Sequence, residues 1–279
     1  MSARTARANG DHPRLPPSGS GFAFPHAGGP GGAADRGPDR AALTYSIGVA
    51  AFCPAPPGLG EGDRREQAKG RARNRRDRLS TAIKKRDAEN VSEAAAFARA
   101  IGLPLNSLKT VHWSAAGVTD GGMATVAFKK KAGDWLRARG VPLACAWVHE
   151  VDGRDGFHLH MLLHMPPALA QGFGHMQRRW LRQISGRPYR RRVIQSVSVG
   201  GALPLALATD AGACALYEAN LANVLDYVLK GSDEAARAAL GLGRQQAGGA
   251  IMGKRCGVSA NLDRAARQRA GWVARRGGS

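Results

Sequence analysis

Trp147-Val-His-Glu-Val-Asp-Gly-Arg-Asp-Gly-Phe-His-Leu-His-Met-Leu-Leu-His164 reads as two strands and a tight turn. Residues 143–151 and 157–164 alternate and are rich in Val, Leu, Phe, Trp and Met. The linker Asp152-Gly-Arg-Asp-Gly156 carries the Asp-Gly signals of a hairpin. Strand side chains alternate between faces. His158, His160, Leu162 and His164 therefore share one face, and Leu159, Met161 and Leu163 the other, core-facing one. A turn centred on Arg154 sets Glu150 opposite His158 and Val148 opposite His160. Two imidazoles and a carboxylate would then converge, a donor set that suits a divalent metal. A one-residue slip would send Glu150 to the far face. On the hairpin alone, a half-exposed strand that happens to carry histidines fits as well.

Outward from the hairpin, the pattern is strand (108–114), helix (123–139), the two hairpin strands, helix (168–185), strand (193–199) and helix (212–230). That order predicts an α+β fold: a central antiparallel β-sheet with helices packed on one face. Leu79, Ile83, Ala94, Ala95, Phe97, Ala98 and Ile101 give an interrupted helical stripe stopped by Gly102 and Pro104. Four segments are expected: 1–77, a disordered Gly/Pro/Arg-rich region; 78–104, a helical lead-in; 105–235, the compact domain; and 236–279, a basic, partly ordered tail.

The 279-residue chain carries 41 Lys and Arg against 21 Asp and Glu, a net charge of +20. Such an excess points to a polyanionic partner, most simply nucleic acid. No apolar run reaches the roughly 18 residues of a membrane helix. No apolar segment follows Arg4 and Arg7, so no secretory signal is expected. Cys53, Cys145, Cys214 and Cys256 form no C-x-x-C pair, which fits a reducing cytoplasm. Basic runs span 64–78, read as a solvated or phosphate-binding arm, and 178–192. In the second, Arg178, Arg179, Arg182, Arg187, Arg190, Arg191 and Arg192, interleaved with Trp180 and Tyr189, are expected to grip phosphates and stack bases. Gly248-Gly-Ala-Ile-Met-Gly-Lys-Arg255 mimics a phosphate-binding loop but ends in Arg where Ser or Thr would hold Mg²⁺; an ATPase is not expected.

In the last helix, Leu221, Val224, Leu225, Val228 and Leu229 form a buried stripe. At 100° per residue, Tyr227 falls on the other side with Lys230, its neighbour three residues on. Tyr217 lies nearer the stripe and is expected to be structural.

Phe157-His-Leu-His-Met161 and Tyr227-Val-Leu-Lys230 together resemble the HUH endonuclease superfamily, in particular its rolling-circle replication initiators of plasmids, phages and integrated elements. The resemblance covers about 105–235. It implies that His158 and His160 bind a divalent metal, Mn²⁺ or Mg²⁺, with Glu150 as an acidic third ligand. It further implies that Tyr227 attacks single-stranded or melted origin DNA to leave a 5′-phosphotyrosine and a free 3′-OH, assisted by Lys230. DNA is the expected partner, with host replication machinery a further one. Lys109-Thr-Val-His-Trp113 matches the family's first motif loosely. A relaxase or transposase using the same chemistry, and a non-catalytic basic nucleic-acid-binding protein, are the alternatives.

Overall fold

The computed structural model describes residues 78–153, 156–199 and 211–274. The segment expected to be disordered, 1–77, lies outside the described residues, as do Arg154 and Asp155 of the hairpin turn.

Five strands form one antiparallel sheet in the order β5 (Ile194–Ser198), β2 (Ser107–His112), β4 (Gly156–Leu163), β3 (Cys145–Asp152), β7 (Cys256–Val258). The hairpin β3–β4 therefore sits near the centre rather than at an edge. Its register pairs Glu150 with His158, Val148 with His160 and Asp152 with Gly156. The Asp-Gly turn and the alternation act together here: a one-residue slip would bury the wrong set of side chains.

Both faces of the sheet are covered, where the sequence pattern predicts cover on one. On one face, α2 (Gly121–Arg137) and α3 (Pro167–Ser185) lay Phe128, Leu136, Phe173, Trp180 and Leu181 over Val111, Trp147, Leu159, Met161 and Leu163. The opposite face is polar only at the hairpin end. Farther along it exposes Leu108, Ala146, Val148 and Leu162, an apolar area that needs its own cover. That cover is α1 (Lys85–Ala100), through Ala88, Val91, Ala94, Ala95, Phe97 and Ala98, together with α4 (Ala211–Val228) through Tyr217, Leu221 and Val228. Four of these α1 residues are alanines, which let the helix approach the sheet closely. The stretch expected as a lead-in thus shares a core with the sheet. It begins as a two-residue strand, β1 (Leu79–Ser80), with the helix starting at Lys85 rather than at 78.

Chain beyond α5 (Glu234–Leu240) also differs from the expected tail. It pairs β6 (Ile251–Met252) with β1 and adds β7 to the edge of β3. Gly257 is needed there: a Cβ at this position would meet the Trp147 ring at 3.0 Å. Two buried arginines fasten the segment. Arg255 donates to the carbonyls of Ser80, Gly248 and Gly249 and to the Ser80 hydroxyl. Arg267, in α6 (Arg264–Arg269), donates to the Leu262 carbonyl, Asn90 and Glu93. The G-x-x-x-x-G-K stretch is therefore occupied structurally, and a strand follows it instead of the helix a phosphate-binding loop requires. Among the described residues, no helix is long and apolar enough to cross a membrane.

Candidate metal centre and tyrosine

Glu150, His158 and His160 meet at the hairpin end of the sheet face carrying α1 and α4, and all three are buried. Their potential ligand atoms lie within 4.8 Å of one another. Glu150 Oε2 is 3.1 Å from His160 Nε2 and 3.4 Å from His158 Nε2. Burial pushes the Glu150 carboxyl up. The facing imidazoles and the Lys230 ammonium outweigh that and hold it well below the usual carboxylate range. Burial pulls the His160 imidazole down, with Glu150 opposing.

The outer nitrogens of both rings are also engaged. His158 Nδ1 lies 3.1 Å from the Gly156 carbonyl. A carbonyl only accepts, so Nδ1 carries a proton, and in a neutral ring Nε2 presents its lone pair to Glu150. Gly156 makes this possible: its φ is +68°, a conformation that favours glycine, and a Cβ there would collide with Ser114. His160 Nδ1 lies 3.1 Å from Thr110 Oγ1. A hydroxyl can donate or accept, so Thr110, which lies directly across from His160, supports either tautomer.

In a neutral His158 ring, that lone pair faces a carboxylate 3.4 Å away, a contact that a cation between the two would make favourable. Glu150 Oε1 adds a second indication. It is buried without an aligned hydrogen bond, and Lys230 Nζ at 3.1 Å pairs with it by charge alone. Two imidazoles oriented by outer hydrogen bonds and an under-satisfied carboxylate suit a cation. The cluster could hold a metal ion.

Tyr227 stands over this cluster. Its ring meets His160 edge to face at 5.2 Å between centroids, and the Lys230 ammonium lies 4.5 Å from the ring centre. Helical periodicity puts both residues on the side away from the apolar stripe. In the structure Tyr227 instead lies half-buried at the rim of the core, and Lys230 is buried. The reason is local. α4 ends at Val228, so Lys230 leaves the helical track and turns under the helix toward Glu150. Tyr217 is structural: it is buried in the core, its hydroxyl donates to the Leu105 carbonyl, and burial raises its pKa.

The remaining histidines divide by face. His149 points to the opposite face, its ring tilted against those of Trp147 and Phe157. Its Nδ1 donates to the Lys254 carbonyl, and its Nε2 meets Thr125, which accepts from Trp113 Nε1. Burial pulls its pKa down to about 4. His164 Nδ1 donates to the Pro104 carbonyl, away from the cluster. His112 is nearer than its separate strand suggests: it lies across from His158, ring centroids 5.4 Å apart.

Seven arginines of the basic run, Arg178, Arg179, Arg182, Arg187, Arg190, Arg191 and Arg192, are exposed. Trp180 is not available with them. It is 4 % exposed and packs edge to face on Phe128, Trp135 and Phe173. The expectation that it stacks bases is therefore corrected: on α3 its position falls on the core-facing stripe, and an aromatic side chain there buries. Tyr189 is half-buried, 5.8 Å from the Arg178 guanidinium. The Arg190–Arg192 turn is tied to the site's end of the sheet, because the Val193 carbonyl accepts from the His112 amide.

No family model, curated protein or solved structure matches this chain.

Proposed function

We propose that this chain is a tyrosine nickase and strand transferase of the HUH type, acting as a replication initiator for a plasmid, phage or integrated element. Its substrate is single-stranded or locally melted DNA. The observation that carries the reading is the Tyr227 ring 5.2 Å from His160, over a cluster of two imidazoles and a carboxylate.

His158, His160 and Glu150 would hold the cation. Nitrogen donors with one carboxylate favour Mn²⁺ over Mg²⁺. Such an ion supplies Lewis-acid polarisation of a phosphate oxygen. The chain's own groups do the rest. The phenol of Tyr227 attacks phosphorus in line, a P–O bond to tyrosine forms, and the bond to the 3′-oxygen breaks. A free phenol ionises near pH 10, so attack at neutral pH needs nearby positive charge; the Lys230 ammonium provides it. The 5′-phosphotyrosine conserves the ester bond, so the 3′-OH can reseal the strand. Arg187 and Arg190 to Arg192 bind the backbone leading to the site, and Arg178, Arg179 and Arg182 extend that positive surface along α3.

The exposed arginines equally favour a second reading, a basic protein that grips nucleic acid without cutting it. End-labelled single-stranded oligonucleotides incubated with Mn²⁺ separate the two. The nickase gives a denaturation-resistant protein–DNA band and a product with an extendable 3′-OH, and Tyr227→Phe keeps binding while losing both. Binding without any such band across a broad oligonucleotide library refutes the nickase. Relaxases and transposases share this chemistry and are distinguished by the DNA site they cut.

A further inference from the structure

Arg244 lies in the connection between α5 and β6, outside every element implicated above. The fold lays that connection against the end of α4. The Gln246 amide donates to the Lys230 carbonyl at 3.0 Å, and Gly248 packs on Gly231. Arg237 in α5 donates to Gln245 at 2.7 Å. Asp226, the residue before the tyrosine, then takes hold of Arg244 twice. Its Oδ1 accepts from the Arg244 amide at 3.1 Å, and its Oδ2 lies 3.3 Å from Arg244 Nε. The guanidinium ends 5.7 Å from the centre of the Tyr227 ring. Arg244 is about one-third exposed and Asp226 about one-quarter.

Two cations from different segments thus lie near the tyrosine ring, Lys230 largely buried and Arg244 more exposed. Lys230 is paired with Glu150. Arg244 is fixed by a carboxylate on the turn of helix that carries the nucleophile, so its position follows Tyr227. A planar guanidinium offers several N–H donors in a fork that matches phosphate oxygens, which an ammonium does not.

We infer that Arg244 is a phosphate-binding catalytic residue. Its terminal nitrogens donate to a non-bridging oxygen of the phosphate that Tyr227 attacks and then carries, and Asp226 positions it. The inference rests on the nickase reading. In the step it serves, the phenol proton passes to solvent and the tyrosine–phosphorus bond forms. The bond to the 3′-oxygen breaks, and that oxygen takes a proton from water. Arg244 remains protonated throughout and stabilises the charge on the phosphoryl oxygens.

The test measures Mn²⁺-dependent adduct formation on a cleaved single-stranded oligonucleotide by the parent, Tyr227→Phe, Arg244→Ala, Arg244→Lys and Asp226→Asn. Arg244→Ala is expected to lower kcat about 10²–10³-fold with KM changed only a few-fold. Arg244→Lys recovers little, and Asp226→Asn gives a smaller loss. The melting temperature and the Mn²⁺-induced stabilisation should stay at parental values; a purely structural role would move the first. A sulfur replacing one non-bridging oxygen of the scissile phosphate should slow the parent more in one stereoisomer, and Arg244→Ala should erase that difference. An active parent with Arg244→Ala and Arg244→Lys both within about twofold of it overturns the role of Arg244 and leaves the nickase standing. No adduct from the parent, or an undiminished adduct from Tyr227→Phe, overturns the nickase and this inference with it.

Discussion

Replacing Glu150 with Gln keeps the shape of the side chain and removes its charge. Two separate effects follow. The first requires no metal. The Glu150 and Lys230 side chains are 4 % and 11 % exposed and 3.1 Å apart, so the substitution leaves an ammonium largely buried without its counter-charge. Breaking such a pair by removing one partner costs about 3–5 kcal/mol. In a domain of this size each kcal/mol moves the melting temperature by roughly 2–4 °C, so metal-stripped Glu150→Gln should melt roughly 6–20 °C below the parent. The second effect is on metal binding. Mn²⁺ at about a hundred times its dissociation constant stabilises a protein by about 2.7 kcal/mol, or roughly 5–11 °C here. The parent should show that rise and Glu150→Gln should show little of it. Differential scanning fluorimetry after chelator treatment measures both quantities. A Glu150→Gln variant as stable as the parent, or a Mn²⁺ response identical in both, refutes the reasoning.

Four further outcomes are expected. Lys109 is 6 % exposed, and burial lowers its pKa to about 8. The unfolded chain binds the proton more tightly, so stability should rise between pH 8 and about 10.4; Lys109→Met should remove that rise and gain roughly 1–3 kcal/mol at pH 7, read by urea unfolding. His149 also titrates below its ordinary value, at about 4. Its contribution is present above pH 6.5 and is lost as pH falls from there to 4. His160 and His164, also lowered by burial, act in the same direction, so His149→Gln should reduce the slope of this limb without abolishing it. Finally, Trp180→Ala should cost about 3–5 kcal/mol of stability. Replacing Arg190, Arg191 and Arg192 with Ser should spare stability and reduce the salt dependence of single-strand binding by up to roughly 0.7 for each phosphate no longer neutralised, measured by fluorescence anisotropy.

The sheet's centre is legible because its cues are local. Alternation from Trp147 to His164 and the Asp-Gly turn set the faces and register of the hairpin, and with them the meeting of Glu150, His158 and His160. Helix bounds follow from apolar period and stop residues, as at Gly186, whose left-handed conformation closes α3. What escapes a sequence reading depends on chain far away. β7 is a three-residue strand too short for a periodic signal, and Gly257 within it packs closely against Trp147. Cover on the second face depends on the small residues of α1, which read weakly as a hydrophobic stripe. Trp180 misleads because its arginine neighbours dominate the local composition, while its place on the core side of α3 is a matter of helical phase. Lys230 misleads because the helical period carries it two residues past the helix end. Thr110 gives a weak signal: its strand loosely matches a family motif, but its pairing with His160 joins strands 50 residues apart. Arg244 gives no signal, since nothing in its surrounding sequence foretells the pairing with Asp226.

The central claim is that the hydroxyl of Tyr227, and no other, becomes joined to DNA. Mass spectrometry of the adduct, after nuclease trimming and proteolysis, reads this directly. The expected product is a nucleotide attached through a 5′-phosphate to the peptide containing Tyr227, formed only with divalent metal and absent when His158 and His160 are both replaced by Ala. An adduct on Tyr189, Tyr217 or a serine, or one that forms equally well without the two histidines, would contradict it.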